Sequence, residues 1–223
     1  MAEGSQRVSI GQLILWPSVI TLAITALRLY GELQHWDPRF FSREAGGGGA
    51  LVGISWLPFI FGIYFALKLS SAGEVPVSKG KPILLPVIGI VIMVVGFWAS
   101  TLISKTPTAS SMLIAIVACL VALVIQRGGW PALFKVLLAY AFAARIPVAL
   151  IMLFAIRGDW GTHYDVPPPN FPAMSWFMKW VLIGALPQFV LWIVYTVVIG
   201  GLVAGITAAI ARRKASTQQP AAA

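Results

Sequence analysis

Charge is what this sequence has least of: Asp, Glu, Lys and Arg make up 10% of it, where soluble domains carry roughly 25%. So few charged side chains cannot keep a folded surface in water. The 59% hydrophobic content and mean hydropathy of +0.88 name the other solvent, a bilayer. Cysteine is nearly absent. The single Cys119 sits in an apolar run, which excludes an intrachain disulfide and a cysteine-built metal site.

Acid is scarce too, with seven Asp and Glu against 16 Lys and Arg. All seven (Glu3, Glu32, Asp37, Glu44, Glu74, Asp159 and Asp165) are read as lying outside the hydrophobic runs, as do both histidines, His35 and His163. Proton relays and ion-coupled pumps carry Asp, Glu or His at depth, and bundle-bound haem needs paired histidines, so both classes are disfavoured. Nor is there a Walker loop, a His-Glu-x-x-His or a Gly-x-Ser-x-Gly to mark a familiar NTPase or hydrolase.

What the chain does have is long apolar runs. A span needs about 20 apolar residues, and the reading is an all-α polytopic membrane bundle with about six transmembrane helices. The spans fall at about 10–31, 50–70, 83–104, 109–126, 131–156 and 187–211, with a short interfacial helix at about 174–185 before the last. Pro187 is taken to divide the final apolar stretch, which is too long for one crossing. Residues 1–9 and 212–223 flank this single membrane domain as terminal segments, the latter expected to be disordered. The first run is longer than the core of a cleavable signal and is closed by Arg28 and Glu32, so it is read as a retained span.

The net charge of +9 comes from basic residues that flank the runs rather than forming one face, which argues orientation and not nucleic-acid binding. Nine Lys and Arg fall on the side of the two termini, six opposite, and Arg145 is left inside a span. Positive-inside bias then predicts cytoplasmic termini, and the apolar runs with their aromatics and prolines look generic for a small protein of a bacterial inner membrane.

Three constellations stand out. Arg145, two residues before Pro147, lies about 12 residues, or roughly 18 Å along a helix, from the end of its run, too deep to snorkel into water. Either it locks onto carbonyls or a water pocket, or it receives an anion such as a lipid phosphate or carboxylate. His35-Trp36-Asp37 and His163-Tyr164-Asp165 repeat the pattern His-aromatic-Asp, and the four side chains His35, Asp37, His163 and Asp165 suit a divalent ion, the one cofactor the residues suggest. The ordinary alternative is interfacial loop structure. Finally, the glycines Gly46 to Gly49, together with Arg28 and Arg157, form a basic rim that either nests an anionic head group or serves as a linker, with Gly49-x-x-x-Gly53 and Gly201-x-x-x-Gly205 as close-packing motifs. Arg28 and Glu32 are spaced as a helix-end ion pair.

The function expected from these features is binding or transport of an anionic or amphipathic small molecule or lipid through Arg145, Arg28 and Arg157. A structural or accessory subunit of a larger membrane complex, or a homo-oligomer, is the second reading. A membrane metalloenzyme built on the two His-x-Asp loops is the third.

Overall fold

The computed structural model describes residues 9–104, 108–169 and 171–218, with side chains as far as Arg213. The expected segment 1–9 lies, but for its last residue, outside the described residues. So do Lys105, one of the residues counted for orientation, and the final stretch 219–223. No strand occurs among the described residues. The chain is an all-helical, multi-pass membrane protein. Five of its helices are long and apolar enough to cross a bilayer.

These begin with α1 (Ile10–Leu33). A single turn, α2 (Pro38–Phe41), is capped by Asp37, whose side chain accepts from the Arg39 N–H at 2.9 Å. A shorter apolar helix, α3 (Leu57–Ser71), follows, then α4 (Lys81–Ile103) and α5 (Ala109–Ile125). Thr108 starts α5 with a reciprocal capping box, accepting from Ser111 N–H while the Ser111 hydroxyl accepts from its own. The longest unbroken α-helix, α6 (Pro131–Gly158), begins with proline at its first position, where a missing N–H costs nothing. It is followed by the four-residue α7 (Trp176–Lys179) and, at the end, α8 (Ile193–Gln218).

Three differences from the sequence reading go beyond a residue or two at a helix end. The helix of the expected second span, α3, starts at Leu57, not near residue 50, because the backbone of 50–52 is drawn into a loop: Leu51 N–H bonds Arg39 O and Val52 N–H bonds Phe40 O. Between α7 and α8, Pro187 does not break the chain. Residues 180–185 and 187–192 are π-helical, and helix runs without interruption from Trp176 to Gln218. A π-turn already omits one backbone bond, so the missing proline N–H is accommodated there. The last helix also continues through Arg212 to Gln218, where disorder was expected.

The chain forms two compact units. Of the described residues, those within Met1–Ile14, Pro58–Ala139 and Val194–Ala223 make unit 1, and those within Leu15–Leu57 and Tyr140–Ile193 make unit 2. Unit 1 is assembled through glycines. A Cβ on Gly62 of α3 would stand 2.6 Å from Gly200 O of α8, and one on Gly205 would run into Pro82 O of α4. Pro86, lacking an N–H, leaves that Pro82 carbonyl without its helical partner, and Gly205 lets α8 lie directly on it. The Gly201 and Gly205 spacing thus works within the chain. In unit 2 the core is Val148, Met152, Ala155 and Ile156 of α6 with Tyr164 of the following loop, and Leu29, Ile54 and Trp180 pack against it.

Candidate functional site

Unit 2 collects most of the polar groups that a bilayer protein would be expected to avoid burying. Glu32, in the last turn of α1, is fully buried. The sequence reading placed it outside the span, but α1 extends one residue past it. Its carboxylate is met by three donors: Arg28 Nε–H at 2.8 Å on Oε1, His163 N–H at 2.9 Å on Oε2, and His163 Nδ1 at 2.5 Å on Oε1. A buried carboxylate is tolerable only when its lone pairs are answered in this way.

Arg28 is held from the other side. Nη1 donates to Val52 O at 2.9 Å, and Nη2 to Gly47 O at 3.0 Å and to Ser42 O at 3.4 Å. The glycines make this geometry. Gly46 to Gly49 all have φ between +52° and +88°, and a Cβ on Gly47 or Gly53 would stand 2.6 or 2.9 Å from the guanidinium. Of the two readings of this loop, the anion nest is reversed: the loop turns carbonyls, not N–H groups, toward Arg28 and cradles a cation. Gly53 serves the same cradle and no helix packing, since residues 50–56 are not helical.

The loop after α6 is tied down by Asp165, which is buried and accepts from Gly161 N–H (2.9 Å), Thr162 N–H (2.7 Å) and the Thr162 hydroxyl (2.6 Å). Tyr164 is buried beside it, its hydroxyl donating to Thr25 O and its ring 3.9 Å from that of His163. Burial, with Glu32 adding to it, pushes the Tyr164 phenol far above its ordinary range. Burial is also the largest influence on His163 and lowers its pKa, with Arg28 acting the same way; the bond to Glu32 works against them without reversing the direction. A neutral His163 that donates Nδ1–H to Glu32 carries its lone pair on Nε2, for which no hydrogen-bond partner exists among the described residues.

The four residues expected around a divalent ion are not brought together. His35, at φ +56°, bonds Leu33 O through Nδ1 and receives Arg43 Nη1 on Nε2. Asp37 caps α2, His163 is held by Glu32, and Asp165 is spent on its own loop. Among the described residues no group of three or more His, Cys, Asp or Glu is placed to hold a metal ion. The repeated triplet arises from two unrelated local needs, a turn before α2 and a loop closure after α6.

The three arginines have three different neighbours. Arg28 belongs to the cradle. Arg157, exposed at the end of α6, lies 5.7 Å over the Trp176 ring. Arg145 is buried, with 4% exposure, and its guanidinium stands 4.8 Å over the ring of Trp192. It neither reaches water nor faces lipid tails. One turn before Trp192, the π-helical segment contributes Gln188, which sequence reasoning missed. Gln188 is 7% exposed, its Nε2 faces Met152 Sδ at 3.6 Å, and its Oε1 is buried with no hydrogen-bond partner among the described residues. Trp192 follows Gln188 by one turn, and Met152 follows Arg145 by two. Trp180 Nε1–H, bonded to Ala149 O at 2.9 Å, adds a third tie between the same two elements. An amide inside an apolar run was the available signal.

Fold and site together define a multi-pass helical membrane protein with a buried polar interior in unit 2. No family model, curated protein or solved structure matches the chain.

Proposed function

We propose that the protein binds an amphipathic small molecule or lipid in unit 2, its apolar body along α6 and its polar head in the strip formed by Arg145, Trp192 and Gln188. The observation that carries this is Gln188: an amide buried in a π-helical segment with one polar atom left without a hydrogen bond. Such a group costs about 1–3 kcal/mol in the unliganded protein, and π-helical distortions recur where a fold has kept a site rather than an optimal helix. A ligand head group that donates to the amide and accepts from the guanidinium offsets that cost. Arg28 takes no part, since its donors serve Glu32 and the glycine loop, and Arg157 sits at the exposed rim.

Native mass spectrometry of the protein released from mild detergent tests the reading. Wild type is expected to carry a small-molecule or lipid adduct that Arg145→Met and Gln188→Leu both lose while remaining folded. A wild type without adduct, or an adduct unchanged in both variants, refutes it.

We also propose that both termini are cytoplasmic, in a bacterial inner membrane; the excess of Lys and Arg on the terminal side supports the orientation. That orientation requires α3 to cross too, making six spans with the five longer helices. Fifteen residues rise only about 22 Å against a core of about 30 Å, so the irregular segment 50–56 completes the passage. Reporter fusions after Gln218 and within 72–80 should then report the same, cytoplasmic, side.

A further inference from the structure

Unit 1 contains a cavity of about 20 Å³ bordered by α4, α6 and α8, with Pro82, Pro86, Gln126, Trp130, Leu137 and Gly201 among its walls. Gln126, in the 3₁₀ turn after α5, is 7% exposed. Its Nε2 donates to Ala122 O at 2.7 Å and Leu85 O at 3.2 Å, and Gly89 leaves the space the amide occupies. Two carbonyls at Nε2 fix which end of the amide is which, so the end left over is an acceptor. That Oε1 is buried with no hydrogen-bond partner among the described residues.

We propose that this cavity receives a hydroxyl of the head group of an anionic phospholipid, with O–H donating to Gln126 Oε1. The volume suits one oxygen, since a water site needs about 10–15 Å³ by the same measure. A free water fits poorly on other grounds. It needs two to four polar partners, whereas Trp130 Nε1 is already bonded to Glu74 O and the Pro82 carbonyl is covered by Gly205. A hydroxyl tethered to a phosphate needs only one partner inside. The phosphate has its own outside: Lys81, Arg127 and Lys135 are exposed, and each is adjacent in sequence to a residue lining the cavity. This is the electrostatic setting in which basic side chains at a membrane surface hold anionic lipid. The inference stands apart from the unit 2 ligand and survives its failure.

The test compares three lipids added to delipidated protein in mild detergent, with retention read by native mass spectrometry. They are phosphatidylglycerol, phosphatidylmethanol, which has the same charge but no hydroxyl, and phosphatidylcholine. Phosphatidylglycerol should be retained about three- to tenfold better than phosphatidylmethanol, the ratio one hydrogen bond of this class supplies, and both better than phosphatidylcholine. Gln126→Leu should erase the first preference. So should Gly201→Ala, which fills the cavity without touching the amide, its Cβ meeting Pro86 Cγ at 3.6 Å. Lys81→Gln with Arg127→Gln should weaken both anionic lipids. Equal retention of phosphatidylglycerol and phosphatidylmethanol by wild type overturns the proposal and leaves the cavity to water; so does a preference that persists in Gly201→Ala.

Discussion

Replacing Glu32 by leucine is the most informative perturbation of unit 2, because a single buried carboxylate holds α1, the glycine cradle and the loop after α6 in register. Its side chain is fully buried and that of Arg28 is 11% exposed. Removing one partner of a buried pair costs about 3–5 kcal/mol, and since Arg28 keeps its carbonyl contacts, Glu32→Leu should fall near the lower end. Glu32→Gln should cost less, about 1–2 kcal/mol. There His163 can move its proton to Nε2 and accept from the new amide, whereas Arg28 Nε–H and His163 N–H are donors only. In a double-mutant cycle, Arg28→Met and Glu32→Leu should sum to more than the double variant by about 1–3 kcal/mol. Unfolding in mixed micelles of a mild detergent and dodecyl sulfate, followed by tryptophan fluorescence, measures all four corners. Additivity within about 0.5 kcal/mol, or a Glu32→Leu cost below about 1 kcal/mol, would show that the carboxylate does not organise the three segments.

Acidification tests His163: its pKa is lowered by burial, so the unfolded chain takes up a proton that the folded protein refuses. Stability should be flat above about pH 7 and fall below about pH 6.5, by at most about 1.4 kcal/mol per pH unit. His163→Asn should remove this dependence, and a thermal midpoint that rises on acidification would reverse the sign. Gly205→Ala, which drives a methyl group into Pro82 O, should cost about 1–3 kcal/mol, whereas Gly201→Ala should be neutral or stabilise by up to about 1 kcal/mol; equal effects in unfolding titrations would contradict the packing of α8 on α4. Asp165→Ala should speed amide exchange at Gly161 and Thr162 by opening the loop, at about 1–3 kcal/mol; unchanged exchange would mean the loop closes by other means.

How much of this was legible beforehand follows from the range of each interaction. The Arg28 and Glu32 pair is four residues apart and could be read as a helix-end pair. Arg145 could be singled out by its place within a run, and it is indeed buried. The glycine run is plain in the sequence, but whether such a loop offers carbonyls or N–H groups depends on the signs of its dihedrals and on the partner it meets. Here that partner is a cation on α1. The two His-aromatic-Asp triplets misled because a pattern of three residues is also satisfied by ordinary capping and loop closure. Pro187 misled because a proline ends a helix only where its missing bond is not already missing.

The sequence alone determined the class of molecule, because hydropathy and the spacing of charges are one-dimensional quantities and the bilayer reads them directly. Only the tertiary structure decided that Glu32 meets His163, 131 residues away, and that Gln126 and Gln188 each bury an acceptor. Those outcomes depend on which helix faces lie together, and no local pattern in a uniformly apolar chain encodes a facing surface.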